Sequence, residues 1–326
     1  MTLHLTEVSS LYTLQVSDRL ISGRLTDPLA NKNVIYWARD AIVTVGYSGL
    51  AYDLDPTNPS VPTDEWIASK LLGGLIPRGR DNIRPTTFGA VTDFRSRDIA
   101  NALQTLKREL ECAFGRLTAN LVEPPFELTV AGWFFPYGRP IRPFVAELVK
   151  DRRERTVSLL FPMRNRRFQN VFGLWATPAG YLTRDEQTHL RSVLRQCPLS
   201  PPDRAELVQN EFVDIIRSVA SREPEKVGAH CMTILLPPPQ SNAPIRVRFC
   251  PQVEHQAMFR FTTSQFQIPV AYTPWVLGKG NFLAPSVLAG EGTSSFVMGP
   301  FTVNFEAPFN GRGFGFIGAQ RRGPGR

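Results

Sequence analysis

The sequence predicts an α+β protein, a four-layer α-β-β-α sandwich over residues 1–239 followed by a β-rich extension over 240–309. Three observations carry that reading. Alternating apolar residues mark short strands in the first fifty positions. Two pairs of amphipathic helices follow, separated by strands. A triple proline, Pro237-Pro238-Pro239, then marks a change of composition.

In chain order, Thr2 to Val8 and Leu11 to Ser17 alternate as two strands around Ser9-Ser10. Asn33 to Trp37 and Ile42 to Tyr47 form a second strand pair, turning at Arg39-Asp40. A helix begins at Thr63, where Thr63-Asp64-Glu65 offers a cap and first-turn acids, and stops at Gly73-Gly74. A second helix runs from Asp93 to Leu117, with Ile99, Leu103, Leu106, Leu110 and Phe114 on one face. Strands return at 126–135, 141–149 and 156–161. Helices follow at Thr183–Arg195 and Pro202–Ser221, the latter repeating Val208, Phe212, Ile215, Ile216 and Val219 at helical spacing. Cys231 to Leu236 is an apolar strand. Sheets that each hide one face under helices and the other against a partner sheet give the four layers. Beyond residue 240 no helical period appears, and short strands alternate with Pro and Gly. The Gly/Arg-rich tail, 310–326, is not expected to fold by itself.

At 326 residues and 42 % hydrophobic content the chain supports a large core. No run of eighteen apolar residues occurs, so no membrane span is expected, and no secretory pattern opens the chain. Cys112, Cys197, Cys231 and Cys250 lie far apart without C-x-x-C spacing, which argues against a zinc site or a disulfide framework; a cytoplasmic, reduced protein is expected. The net charge of +8 sits in two segments, a basic run over 150–168 and the Arg-bearing tail. The remainder is close to neutral, so the charge total does not imply a nucleic-acid surface. The tail's Gly311-Arg312-Gly313-Phe314 is one short Arg-Gly copy and reads as a solubilising segment. His4, His189, His230 and His255 show no ligand spacing and are read as structural; neither metal nor cofactor is implied.

The chemistry-bearing residues crowd the amino terminus. Removal of Met1 would make Thr2 a free N-terminus, and a threonine hydroxyl served by its own α-amine as base is an established protein nucleophile. Asp18 follows in Val16-Ser17-Asp18-Arg19, then Lys32 after Asn31, then the turn Ser48-Gly49-Leu50-Ala51-Tyr52-Asp53. In order and spacing this set resembles the amino-terminal half of proteasome β-type subunits, members of the N-terminal-nucleophile (Ntn) hydrolases. The resemblance covers residues 2–236 and is strongest over 2–70. It implies that Thr2 Oγ attacks an amide carbonyl. Lys32 lowers the amine's pKa, and Asp18 orients Lys32. The Gly49 amide stabilises the oxyanion, while Ser22 and Ala51 flank the substrate and Asp53 is the acid that follows. It implies a peptide or other amide substrate and a homo-oligomer.

Two parts of the family pattern are missing. The family's serine-bearing turn before the third helix here reads Phe172 to Gly180, with Thr177 as the nearest hydroxyl. The acid and serine before the last strand are replaced by Arg222-Glu223-Pro224-Glu225-Lys226-Val227-Gly228, where Glu223 or Glu225 could supply the acid. The function expected is therefore a proteasome-like threonine hydrolase. The alternatives are a catalytically silent assembly or binding protein of the same fold and, behind it, a nucleic-acid-associated protein.

Overall fold

The computed structural model describes residues 2–20, 31–74, 88–90, 95, 97–161, 173–177, 179–196, 201–250, 271–272, 274–278, 281–283, 287–289, 292–298, 301–307 and 315–316. The elements in chain order are β1 (His4–Val8), β2 (Thr13–Asp18), β3 (Asn33–Trp37), β4 (Ala41–Ser48), α1 (Thr63–Leu71), β5 (Phe88–Ala90), α2 (Ile99–Arg116) and α3 (Ala119–Val122). Next come β6 (Phe126–Phe134), β7 (Arg142–Lys150), β8 (Ser158–Leu160), β9 (Gly173–Thr177), α4 (Arg184–Gln196), α5 (Pro201–Arg222) and β10 (Cys231–Leu236). The chain continues through β11 (Ile245–Cys250), β12 (Ala271–Tyr272), β13 (Trp275–Gly278), β14 (Asn281–Leu283), β15 (Val287–Ala289), β16 (Gly292–Met298), β17 (Phe301–Ala307) and β18 (Gly315–Phe316).

Two large sheets lie face to face. One has the order β16-β17-β11-β10-β2-β1-β9, the other β5-β14-β13-β3-β4-β6-β7-β8; β12, β15 and β18 form a small third sheet. Helices α1 and α2 cover the outer face of the eight-stranded sheet. Their apolar residues Trp66, Ile67, Leu71, Leu103, Leu106, Leu110 and Phe114 pack with Tyr36, Val43, Val45, Leu128 and Val130. Helices α4 and α5 cover the seven-stranded sheet through Leu190, Val208, Phe212, Ile216 and Val219 against Leu3, Leu5, Leu14 and Val16. The result is a four-layer α-β-β-α sandwich. Each fully buried Leu or Phe on these faces contributes about 1.5–3 kcal/mol.

The strands past Leu236 extend both sheets. β11 pairs antiparallel with β10, and β17 runs parallel to β11. β13 runs parallel to β3, with Trp275 opposite Val34, and carries β14 and β5 outward. Between the sheets, Met232, Ile234, Val247, Phe249, Val276, Val303 and Phe305 join Ile35, Trp37, Ile42 and Trp133 in one apolar cluster. Under β1 and β2, by contrast, the same interlayer is polar. There Thr44 Oγ1 donates to Gln15 Oε1 at 2.7 Å, and Gln15 Nε2 donates to Thr6 Oγ1 at 3.2 Å.

Several local expectations change. Thr63 does not cap α1, because Pro62 holds the cap position and the Thr63 hydroxyl donates to Leu50 O at 2.8 Å. α2 begins at Ile99 rather than Asp93; its first N–H is taken by the Asp40 carboxylate at 2.8 Å. β2 starts at Thr13, since Ser9 to Tyr12 close a turn through Ser9 N–H to Tyr12 O at 3.0 Å. Residues 173–177, read as a turn, form β9 and pair antiparallel with β1, His4 opposite Thr177.

Candidate active site

Thr2, two residues before β1, is buried, with its carbonyl accepting a 2.8 Å hydrogen bond from Ser48 Oγ at the end of β4. The next amide, Leu3 N–H, donates to Asp18 Oδ1 at 2.7 Å, and Asp18 N–H returns to Leu3 O at 3.2 Å. Strand pairing brings the two together, because β1 and β2 run antiparallel with His4 opposite Ser17. Asp18 is fully buried. Its other oxygen, Oδ2, accepts from Lys32 Nζ, Leu20 N–H and Gly228 N–H, each at 3.0 Å. Lys32 is 1 % exposed and also donates to Leu20 O. The carboxylate thus ties together β2, the residue before β3 and the loop before β10, with three main-chain donors compensating its burial.

Gly49 follows Ser48 with φ +115°, a conformation that a side chain would strain, and a Cβ there would stand 2.5 Å from Pro125 O. The turn continues through Ala51, whose carbonyl accepts Thr63 N–H at 2.9 Å, so the turn is fastened to α1. Asp53 has φ 73° and its N–H goes to Pro59 O at 3.0 Å. The acid that organises this loop is Asp55, which accepts from Thr57 N–H, Thr57 Oγ1 and Asn58 N–H. Thr2, Asp18, Lys32 and Gly49 are therefore gathered through Ser48 and Leu3. Ser22 and Met1 lie outside the described residues, as do His255 and Cys197.

Of the candidate substitutes for the missing serine and acid, Glu223 is the one whose side-chain pairing is described. Glu223 pairs with the exposed Lys226 at 2.8 Å, and what reaches Asp18 from that loop is the Gly228 amide. Of Thr177 only its place in β9, opposite His4, is described. The sequence reading missed Tyr181, in the 3₁₀ turn Ala179–Tyr181 after β9. Its hydroxyl is buried with no hydrogen-bond partner among the described residues. Its pKa is raised, by burial first; among the charges, Lys226 lowers it while Glu223 and Asp18 raise it. A tyrosine one position past Ala179-Gly180 carries no local signal for such a placement. Arg19, next to Asp18, turns away and sets its guanidinium 5.1 Å over the Phe249 ring.

His4 was also read as structural, and the structure makes it specific. The ring is fully buried on the interlayer side of β1, and Nε2–H donates to Tyr47 O at 2.6 Å. Burial is the main cause that drives its pKa down to about 3, with a contribution from nearby Lys32, so the ring is neutral at physiological pH. Among the described residues no group of three or more His, Cys, Asp or Glu could hold a metal ion.

Two facing sheets, each covered on its outer face by a helix pair, make up the four-layer α-β-β-α sandwich, with Thr2 two residues ahead of the first strand. Anbu (ancestral beta-subunit) from Yersinia bercovieri is similar over 72 % of this chain and 81 % of its own, with 9 % identity and a TM-score of 0.39. Eukaryotic HslV from Trypanosoma brucei is similar over 72 % of this chain and 99 % of its own, with 13 % identity and a TM-score of 0.37. The Anbu complex from Pseudomonas aeruginosa, a helical assembly, gives 11 % identity and a TM-score of 0.39. No protein-family model and no curated protein matches the chain.

Proposed function

We propose that this protein is a threonine-type Ntn hydrolase that cleaves amide bonds, peptides first among them, through an acyl-enzyme on Thr2. The observation that supports it most is the buried Lys32–Asp18 pair at 3.0 Å, with Asp18 also holding the amide next to Thr2. In this reading Met1 is removed and the freed Thr2 amine takes the proton from Thr2 Oγ as the hydroxyl attacks the carbonyl carbon. Lys32 beside that amine disfavours its protonation and keeps it basic. Asp18 holds Lys32 in place. The Gly49 N–H receives the developing oxyanion, and the proton passes from the amine to the leaving nitrogen. Water then releases the acyl group by the same route. Ser22 and Ala51 flank the bound chain.

Thr2→Ala tests this: hydrolysis of fluorogenic peptides should vanish while the circular dichroism spectrum and unfolding midpoint stay put. A Thr2→Ala protein that still turns over the wild type's substrate would end the proposal.

The second reading is a silent assembly protein of the same fold. It is favoured by the Glu223 carboxylate, which pairs with exposed Lys226 rather than with the Thr2 cluster. Self-association belongs to both readings. Leu160 on the outer strand β8 and Val297 on the outer strand β16 are exposed apolar residues at opposite sheet edges. A strict monomer in sedimentation at micromolar concentration would remove that part. Among the described residues no helix is long and apolar enough to cross a membrane, and we place the protein in the cytoplasm.

A further inference from the structure

Directly beneath the Thr2 cluster lie four residues, each within three positions of a candidate catalytic residue. Ser17 precedes Asp18, Asn33 follows Lys32, His4 is two residues past Thr2, and Gly46 lies three before Gly49. Two pairs face each other across the interlayer. His4 stands opposite Ser17 in one sheet, and Asn33 stands opposite Gly46 in the other. All three side chains are fully buried. Asn33 and Ser17 are joined through Nδ2 and Oγ at 2.7 Å. His4 Nε2 must carry its proton, since the Tyr47 carbonyl can only accept, so Nδ1 is left as an acceptor.

His4 Nδ1 and Asn33 Oδ1 both lack a partner among the described residues. Each stands 2.8 Å from where a Cβ of residue 46 would sit, so the two border the same space. Two buried acceptors side by side would leave both unsatisfied. Turning the Asn33 amide about its axis resolves this: Nδ2 then faces His4 Nδ1, and Oδ1 accepts from the Ser17 hydroxyl. That arrangement would give both atoms a partner, with the bonds running in one direction, from Ser17 through Asn33 and His4 to the Tyr47 carbonyl. Glycine at position 46 leaves the space that the contact needs.

We propose that Ser17, Asn33 and His4 form a buried positioning relay that fixes the strands bearing Asp18, Lys32, Thr2 and Gly49 against one another. Its catalytic meaning rests on the reading of Thr2 as the nucleophile. The Ser48 bond to Thr2 O supplies one tie between β1 and β4, and the His4 bond to Tyr47 O supplies the other. Together they set the approach of the Thr2 hydroxyl to an oxyanion held at Gly49. None of the three relay residues touches substrate. They act through the alignment of the groups that do, where an error of about 1 Å costs on the order of a hundredfold in rate.

The relay is tested without activity by imidazole nitrogen NMR on the full chain. His4 should be neutral, protonated on Nε2, and should not titrate down to pH 5. Asn33→Asp puts a carboxylate against Nδ1, so the ring should then gain a proton within that range. A wild-type ring protonated on Nδ1, a ring titrating at its ordinary position, or one indifferent to Asn33→Asp would overturn the relay.

The positioning role is read from the labelling rate of Thr2 by a peptide epoxyketone. His4→Phe, which removes the donor, should slow it by roughly tenfold to a hundredfold. His4→Gln, which keeps an N–H where Nε2 lies, should stay within about threefold of wild type. Equal slowing by both variants, or none, would refute a positioning role. A wild type that does not label at all would remove the nucleophile reading, and with it the catalytic meaning, while the NMR result alone would decide the relay.

Discussion

Lys32 and Asp18 are the most buried ion pair at the candidate site, and their surroundings are unequal enough to predict an order of damage. Replacing Lys32 with methionine keeps most of the side chain's volume and removes its charge. Breaking a buried pair in this way costs about 3–5 kcal/mol. Asp18 would still accept from Leu3, Leu20 and Gly228 N–H, at 2.7, 3.0 and 3.0 Å. Those donors hold its charge, so the loss should fall near the lower end, about 3 kcal/mol. Asp18→Ala is worse. It deprives one buried and two part-buried N–H groups of their acceptor, at about 1–3 kcal/mol for the buried one and less for the others, and leaves the Lys32 ammonium without its carboxylate. The expected loss is about 5 kcal/mol or more. Urea unfolding of the two variants beside wild type measures this directly, with the slope against urea checked for constancy. An Asp18→Ala midpoint above that of Lys32→Met would refute the reasoning, as would a Lys32→Met midpoint equal to wild type.

Two further outcomes follow from single positions. Gly49→Ala forces a side chain into φ +115° and toward Pro125 O; it should cost about 1–3 kcal/mol in stability, read as a lower thermal midpoint, together with peptide hydrolysis. An unchanged midpoint would mean that the turn does not need glycine. For Glu186, burial opposes ionisation, but bonds from Arg222, Thr183 and Ser218 outweigh it and hold the pKa at about 2, below the ordinary 4.5. Its stabilisation is therefore full above the unfolded-state value and fades as pH falls from about 4.5 toward 2. Because the Arg222 side chain is 41 % exposed, screening leaves about 1–2 kcal/mol of this at neutral pH. Glu186→Gln should lower the urea midpoint at pH 7 and differ little from wild type at pH 2.5; a gap that persists at the lower pH would contradict the assignment.

The helices were legible because their cores are one-sided. Leu103, Leu106, Leu110 and Phe114 in α2, and Val208, Phe212, Ile216 and Val219 in α5, face a sheet on one side and solvent on the other, which gives a 3.6-residue period. The central strands were legible in part. β1 and β2 alternate, but their polar residues His4, Thr6, Gln15 and Ser17 are buried against the second sheet rather than exposed. Alternation alone does not distinguish a polar interlayer from water. The extra C-terminal strands showed as β-rich composition, yet parallel pairings such as β3 with β13 join residues more than two hundred positions apart and leave no local trace. The same limit hid β9, whose strand character comes from pairing with β1, and Tyr181 behind it. At the candidate site, Asp18 and Lys32 were marked by order along the chain, whereas Ser48, Gly228 and His4 act through main-chain contacts that residue type does not announce.

The most direct measurement is intact mass of the purified protein before and after incubation with a peptide epoxyketone, with the modified residue located by fragmentation. A chain that begins at Thr2 and gains one equivalent of reagent on Thr2 is the expected result. A chain that retains Met1, or one that begins at Thr2 and stays unmodified, would contradict threonine catalysis and leave the silent assembly protein as the reading of this fold.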